Sequence, residues 1–300
     1  MQSDEANNPV SGILWMLLSG LCFVGVTALV KFLGPRIPAV EAAFLRYVLG
    51  LVFLLPMLRQ MLAAKITPRL HLLIGFRGLL HALGVGLWFY SMTRVPLAEV
   101  TAMNYLSPVY VTIGAALFLG ERLAIRRIAA VVCALVGAAI ILRPGMRELD
   151  FGHLTMLGTT LVFAGSFMVT KVLSSELSPA VIVGMLAVWV TIFLAPFAIA
   201  VWVPPTPQEL VILFAVAAFA TAGHYTMTLA LRAAPITVTQ PATFLQLVWA
   251  TLLGAMVFGE PVDAWVVFGG SVIILSVSFI TWREAVLKRK VTPAVSATKV

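Results

Sequence analysis

Two of the four histidines, His81 and His224, lie near the middle of long apolar segments. Polar groups at that depth of a helical bundle face its interior or water, and imidazole can exchange protons near neutral pH. Residues at helical spacing extend each histidine into a stripe: Arg77, His81 and Trp88 on one segment, Thr221, His224 and Thr228 on the other. Each stripe indicates either a cavity wall that could bind a zwitterion, or packing in which the histidine bonds a carbonyl or hydroxyl group.

Two further pairs of polar residues stand one helical turn apart. Asn104 and Ser107 are three residues apart, and so are Thr243 and Gln246, which places each pair on one helix face. Facing each other, the pairs could hold an ammonium or carboxylate group. The alternative is that they form polar contacts between helices.

Aromatic side chains are plentiful beside these polar groups. Phe23 and Phe163 are 140 positions apart (163 − 23), the offset of the internal repeat described below. A pocket with aromatic walls, Trp88 among them, and a few polar groups would suit an amphipathic solute. The family resemblance described below implies that Phe23 and Phe163 lie around such a cavity. Other aromatics are assigned to the membrane interface: Trp15, Trp202, Trp265 and Trp282.

The sequence carries no catalytic motif. H-E-x-x-H, G-x-S-x-G and nucleotide-binding loops are absent, and the histidines lack the spacing of a metal site. Cys22 and Cys133 lie in apolar segments and are predicted to be small buried side chains. We therefore predict that the protein is not an enzyme and uses no cofactor or metal. A membrane-embedded lipid-modifying enzyme is the alternative from another class, and it would need a histidine–carboxylate set near an interface.

Charged residues at the ends of apolar segments are given mainly structural roles. Lys31 is predicted to extend to the membrane interface. Arg46, inside the second segment, is predicted either to pair with Glu41 or to attract anionic groups. Glu121 and Glu260, each after a glycine, are predicted to accept hydrogen bonds from free amides at the start of the next helix.

The elements that position these residues are membrane helices. The chain is 61% hydrophobic and 11% charged, whereas a soluble domain is about half apolar and a quarter charged. A helix needs about 20 apolar residues to cross the bilayer, where its backbone must be satisfied internally. Proline and glycine separate ten such segments, so we predict an all-α integral membrane protein with helices at 12–33, 39–61, 71–92, 97–119, 124–142, 153–173, 180–202, 209–231, 236–258 and 263–281.

The basic residues predict the orientation. The net charge of +8 comes from short loops and the C-terminal tail, so it indicates topology rather than a nucleic-acid surface. With the N-terminus inside, four basic residues lie in outer loops: Arg36, Arg94, Arg143 and Arg147. Thirteen lie on the inner side: Arg59, Lys65, Arg69, Arg122, Arg126, Arg127, Lys171, Arg232, Arg283, Lys288, Arg289, Lys290 and Lys299. Both termini are therefore predicted to be cytoplasmic.

An internal repeat divides the chain into two halves. Residues 12–16 (GILWM) match 152–156 (GHLTM) at an offset of 140, and Pro56 matches Pro196 at the same offset. Gly-Glu at 120–121 matches Gly-Glu at 259–260 at an offset of 139. An odd number of spans in each half inverts the second half, the arrangement of many secondary transporters. The predicted units are 1–11 as a tail, 12–142, 153–281 and a basic tail 282–300.

One segment and its repeat resemble a known family. Residues 105–123 (YLSPVYVTIGAALFLGERL) and 244–260 (FLQLVWATLLGAMVFGE) resemble the signature of EamA-type proteins of the drug/metabolite transporter superfamily. Within it the chain looks most like the YddG-type exporters of aromatic amino acids. The resemblance covers residues 12–283 and implies ten helices, a central cavity and export of small metabolites. Leu247 replaces Pro108 in the second copy, so only the first half should be kinked there.

These observations predict a secondary transporter in the cytoplasmic (inner) membrane that exports small amphipathic metabolites, with aromatic or branched amino acids as the favoured substrates. Its partners are a small-molecule substrate and the lipid bilayer, with no nucleic acid, and a homodimer is left open. The alternatives are efflux of drugs or other metabolites, a passive channel, and the lipid-modifying enzyme. The predicted binding residues are His81, Trp88, Asn104, Ser107, Phe23, Phe163, His224, Thr228, Thr243 and Gln246.

Overall fold

The computed structural model describes residues 9–118, 125–146, 148–173, 176–234 and 236–291, and their secondary-structure elements are all helices. In chain order they are α1 (Pro9–Leu33), α2 (Ala39–Gly50), a 3₁₀ helix (Leu51–Met57), α3 (Leu58–Ala63), α4 (Pro68–Met92), α5 (Leu97–Asn104), α6 (Ser107–Phe118), α7 (Ile125–Leu142), α8 (Phe151–Leu173), α9 (Pro179–Ala200), α10 (Pro207–Ala233), α11 (Ile236–Phe258) and α12 (Ala264–Val291).

These elements make up the ten predicted membrane helices. Seven stretches are long and apolar enough to cross a bilayer: Pro9–Leu33, Ala39–Ala63, Pro68–Met92, Phe151–Thr170, Ala180–Ala200, Pro207–Met227 and Ala264–Arg283. Two shorter apolar helices, Ile128–Leu142 and Leu245–Phe258, and the α5–α6 pair supply the others. The main difference in length is at α12, which runs ten residues past its predicted end at 281 (291 − 281).

The fourth span is broken where the sequence predicts one helix over 97–119. Tyr105 and Leu106 form a turn between α5 and α6. Pro108 has no backbone N–H, so the carbonyl one turn before it loses its helical donor. The equivalent ninth span, α11, carries Leu247 and is continuous, in agreement with the prediction that only one half is distorted here.

A second difference between the halves lies in the second span. It changes from α2 to the 3₁₀ helix at Leu51 and returns to α-helix as α3, with Pro56 inside the 3₁₀ turn. Its repeat partner Pro196 lies inside the uninterrupted α9. The same residue type thus gives different local structure in the two halves.

Packing between helices follows a pseudo-two-fold arrangement. The contact of α1 with α10 corresponds to that of α4 with α8, α1 with α11 to α6 with α8, and α4 with α9 to α2 with α10. Three contacts join equivalent helices of the two halves: α2 with α9, α5 with α11, and α7 with α12. Exchanging the halves therefore maps the main contacts onto one another, as expected for inverted-topology repeats.

The closest backbone approach occurs where α7 crosses α12. A Cβ atom added to Gly137 would lie 2.7 Å from the carbonyl oxygen of Gly269, and one added to Gly269 would lie 2.5 Å from that of Gly137. Small residues allow membrane helices to pack at this distance. These two glycines hold together the last spans of the two halves.

Candidate functional site

Two phenylalanine–histidine pairs form the centre of the bundle. The rings of His81 and Phe163 lie 4.9 Å apart and are tilted by 30°, and those of Phe23 and His224 lie 5.1 Å apart, edge to face. Phe23 and Phe163 are equivalent in the repeat. Each phenylalanine meets a histidine of the other half, but the histidines are 143 positions apart (224 − 81), about one helical turn away from the repeat offset of 140.

Glycines beside the histidines admit the phenylalanine rings. A Cβ atom on Gly84 would lie 2.5 Å from Cδ1 of Phe163, so that position on α4 has no room for a larger side chain. On α10, a Cβ atom on Gly223 would lie 3.3 Å from Cζ of Phe23. The sequence thus places a phenylalanine on α1 and on α8. It places a glycine one helical turn after His81 on α4 and another directly before His224 on α10.

Further polar and aromatic groups surround His81. The ring of Tyr47 lies 6.4 Å away, edge to face, and Oγ of Ser166 lies 3.5 Å from Nδ1 of His81. Tyr47 is buried and was not singled out in the sequence. A tyrosine one position after an arginine inside an apolar segment was the only available signal.

His224 faces an open interior. The residue is exposed, yet its ring packs edge to face on Phe23 of α1, with 5.1 Å between the ring centres. Phe23 belongs to the first half of the chain and His224 to the second. The space it faces therefore lies between the two halves.

The two arginines extend this central set. Nη1 of Arg77 donates to the carbonyl of Ile182 at 2.8 Å, which joins α4 to α9. The guanidinium of Arg46 lies 4.2 Å from the centre of the Tyr47 ring. The predicted Arg46–Glu41 pair is wrong for the described structure, because Glu41 instead accepts a hydrogen bond from the backbone N of Val203 at 2.9 Å.

The remaining stripe residues differ in their environment. Trp88 lies on α4 with His81, and its buried Nε1 has no hydrogen-bond partner among the described residues. Thr221 donates to the carbonyl of Ala217 in its own helix, at 2.8 Å. The side chain of Thr228 lies outside the described part of the chain.

The two polar pairs lie at the break of the fourth span and on α11. Asn104 ends α5, Ser107 begins α6, and the hydroxyl of Tyr105 between them donates to the carbonyl of Thr243 at 2.8 Å. Gln246 lies against Gly20 of α1, and Gly20 is one helical turn before Phe23 on the same helix. In the described structure no hydrogen bond joins Asn104, Ser107 or Gln246 to either histidine, so these residues form a separate, half-buried polar zone.

Side-chain bridges close one end of the bundle. This is the end where α1, α4 and α7 finish, and we name it the Lys31 end. Five bridges there each join the first half to the second: Lys31–Glu260, Arg36–Glu209, Arg143–Asp263, Glu99–His153 and Glu41–Val203. The hydrogen bond from Arg36 to Glu209 raises the pKa of Arg36 above its ordinary value.

Glu260 is the most connected residue of this end. One carboxylate oxygen pairs with the Lys31 ammonium, and the other accepts from the backbone N of Leu97 at 2.9 Å. Glu260 thus caps α5 of the other half, rather than the following helix as predicted. Lys31 also donates to the carbonyl of Val95 at 3.0 Å, so its predicted extension into the interface is wrong. Glu121 lies outside the described residues.

The opposite end, which we name the Arg69 end, has a much weaker connection. Among the described residues, one ion pair joins the halves there: Arg69 and Glu176, 3.6 Å apart, with side chains 72% and 40% exposed. Exposed pairs of this kind contribute about 0–1 kcal/mol. Among the described residues, charged bridges between the halves are therefore concentrated at the Lys31 end, whereas at the Arg69 end the halves meet mainly through the buried apolar residues Leu70, Ile74, Leu173 and Ile182.

Two observations outside the centre were not predicted from the sequence. His153 has a partner, since its Nε2 lies 2.8 Å from a carboxylate oxygen of the buried Glu99. Glu99 follows a proline at the start of α5, so it resembled an ordinary first-turn acid and was missed. Cys22 is buried as predicted, but Cys133 is exposed, and both are free. The described residues contain no group of three or more ligands that could hold a metal ion.

Comparison with known proteins identifies the family. The EamA-like transporter family matches the chain twice, over residues 10–143 and 150–282. The chain belongs to the EamA-like transporter family. Its family members are transporters rather than enzymes, so the Glu99–His153 pair is a bridge between helices and not the histidine–carboxylate set of a lipid-modifying enzyme.

Curated relatives of this EamA protein carry different substrates. A riboflavin transporter of Rhizobium johnstonii is 31% identical over 95% of this chain and 96% of its own. An S-adenosylmethionine uptake transporter of Rickettsia prowazekii is 26% identical over 94% and 96%. A pseudopaline exporter of Pseudomonas aeruginosa is 26% identical over 89% and 94%. These names support a small-molecule transporter, while the resemblance to aromatic amino acid exporters is not supported by them.

One solved crystal structure has the same fold. It superposes with a TM-score of 0.61 over 93% of this chain and 99% of the other, at 17% identity. At that identity the likeness establishes the architecture alone.

Proposed function

We propose that this EamA protein is a secondary transporter that moves small amphipathic metabolites by alternating access around the two phenylalanine–histidine pairs. The observation that carries the proposal is their placement: the two phenylalanines are equivalent under the repeat, each packs on a histidine of the other half, and His224 is exposed. A flat or bulky apolar group fits between aromatic rings, and imidazoles can bond its polar part.

The conformation supports an alternating mechanism. Among the described residues, five side-chain bridges join the halves at the Lys31 end and one exposed ion pair joins them at the Arg69 end. Breaking the bridges while closing the Arg69 end would move the opening to the other side of the site. The distribution of Lys and Arg supports an orientation with the Lys31 end outside and both termini in the cytoplasm, in a bacterial inner membrane.

Aromatic and branched amino acids are the first substrates to test, with export as the proposed direction. The polar zone at Asn104, Ser107, Thr243 and Gln246 supports this choice, because amide and hydroxyl groups can bond both an ammonium and a carboxylate. Riboflavin is the second candidate. The 31% identity to a riboflavin transporter favours it, and a fused aromatic ring system suits the same walls.

Counterflow in liposomes tests the proposal. Purified protein is reconstituted with a high internal concentration of unlabelled phenylalanine, tryptophan, leucine or riboflavin, and uptake of the labelled compound is followed. We expect uptake of at least one of them, reduced by His81→Ala and by Gln246→Ala. His71→Ala is the matched control, because His71 is exposed in the first turn of the same α4. Absence of uptake for all four compounds would refute this substrate class.

A further inference from the structure

Two arginines, Arg46 and Arg77, lie within the bundle with no carboxylate partner among the described residues. Arg46 is seven residues from the start of α2, and Arg77 is nine from the start of α4, which at 1.5 Å per residue is about 10 Å and 14 Å along the helices. Arg77 is 8% exposed, and its buried Nε has no hydrogen-bond partner among the described residues. Arg46 has its ring contact with Tyr47, and in the described structure no ion pair.

The acidic residues are elsewhere. The described carboxylates lie at the first turns of helices or in loops, at the two ends of the bundle: Glu41, Glu99, Glu148, Asp150, Glu209, Glu260 and Asp263 at the Lys31 end, and Glu176 at the Arg69 end. The middle of the bundle therefore has an excess of positive charge.

Such an arrangement is costly unless a ligand completes it. Arginine in a membrane interior is unfavourable, and it is retained where it faces a cavity and pairs with another group. A guanidinium offers a planar set of donors that matches the two oxygens of a carboxylate or phosphate. The Arg46 guanidinium lies 4.2 Å from the centre of the Tyr47 ring, which lies 6.4 Å from the His81 ring. Arg77 is one helical turn before His81 on α4, so both arginines lie beside the His81–Phe163 pair.

We infer that the central site takes solutes that carry an anionic group, a carboxylate or a phosphate, which Arg46 and Arg77 bind while the apolar part lies between the phenylalanine–histidine pairs. This inference rests on the proposed function and narrows its substrate class. It makes Arg46 the main determinant of charge specificity, because Arg77 also joins α4 to α9 through Ile182.

The test uses two pairs of probes that differ in the anionic group. Tryptophan is compared with tryptophanamide, and riboflavin 5′-phosphate with riboflavin, by equilibrium binding to the full-length protein in phosphatidylcholine nanodiscs. In at least one pair we expect the anionic member to bind about 10- to 100-fold more tightly, the range of a charge-assisted hydrogen bond. Arg46→Gln should remove most of that preference, and Arg46→Lys should restore part of it.

The control is Arg94→Gln. Arg94 stacks on Tyr90 with its guanidinium 3.7 Å from the ring centre, as Arg46 does on Tyr47, but it is exposed at the Lys31 end. The Arg94→Gln substitution removes the same charge, and we expect it to leave the preference for the anionic probes unchanged. Arg77→Gln is the second variant, and a thermal-unfolding measurement of each variant separates loss of folding from loss of charge selection.

Four results would overturn the inference. Equal binding of the charged and neutral members by the wild type would refute it and leave the proposed function standing. A preference that survives in both Arg46→Gln and Arg77→Gln would also refute it. A preference that disappears when phosphatidylglycerol is added would assign the arginines to a lipid headgroup instead. Failure of all four probes to bind or exchange would reject the proposed substrate class together with the inference.

Discussion

Replacing Glu260 with glutamine should release the Lys31 end. The carboxylate is 12% exposed and Lys31 is 18% exposed, so water screens their attraction only in part. Glutamine can still accept from the backbone N of Leu97, but it cannot neutralise the Lys31 ammonium. Removing one partner of a fully buried pair costs about 3–5 kcal/mol, and the partial exposure lowers the expected cost to about 2 kcal/mol.

The substitution destabilises the closed conformation, because in a conformation with an open Lys31 end water would hydrate the side chains of Lys31 and of residue 260. About 2 kcal/mol corresponds to roughly a 30-fold change in the ratio of closed to open molecules. Spin labels at Arg94 and Val262, exposed positions in loops of the two halves, would report the separation by double electron–electron resonance. Cys22 and Cys133 are replaced first, because both are free.

We expect a larger population at long distances in Glu260→Gln than in the parent protein. Glu176→Gln is the matched control: it makes the same change in the exposed pair at the Arg69 end and should leave the distribution unaltered. An unchanged distribution in Glu260→Gln, or an equal shift in Glu176→Gln, would show that the bridge does not hold this end closed.

Three further changes test the packing. Gly84→Ala should reduce counterflow about tenfold or more, because the new Cβ would lie 2.5 Å from its partner phenylalanine ring, whereas Gly86→Ala, with no atom within 4 Å, should not. Gly137→Ala should lower the free energy of unfolding by about 1–3 kcal/mol, as overpacking does, measured by denaturant unfolding. Tyr105→Phe should cost about 1 kcal/mol through its lost hydrogen bond, and Tyr225→Phe, at an exposed position, close to nothing.

Two outcomes would contradict these packing arguments. Full counterflow by the Gly84 variant would mean that Phe163 can move without affecting the site. Equal effects of Tyr105→Phe and Tyr225→Phe on the free energy of unfolding would mean that the hydrogen bond from the Tyr105 hydroxyl to the carbonyl of Thr243 does not stabilise the fold.

The sequence predicted helices well because apolar runs and proline breaks are local signals. The same locality explains what was missed. Lys31 and Glu260 are 229 residues apart, and no periodicity within one helix indicates a partner at that distance. The repeat did indicate that Phe23 and Phe163 are equivalent, but not that each would meet the histidine of the other half. That pairing depends on how the two halves interlock.

Glu41 shows the same limit for single residues. An acid in the first turn of a helix is common, since it interacts favourably with the helix dipole, so its position carried no sign of burial. In the structure it is completely buried. Its contact with Val203 depends on a loop 162 positions away in the chain.

The unequal connection of the two ends has a consequence for the carrier at rest. Identical halves would give both orientations the same energy, and a solute would meet equally available sites from either side. Here the halves differ in their broken helix and the two ends differ in their charged bridges, so under the proposed alternating mechanism we expect the resting population to favour one orientation. A solute that arrives from the Arg69 end finds the site ready. One that arrives from the Lys31 end binds with an apparent affinity reduced by the small fraction of molecules open toward it.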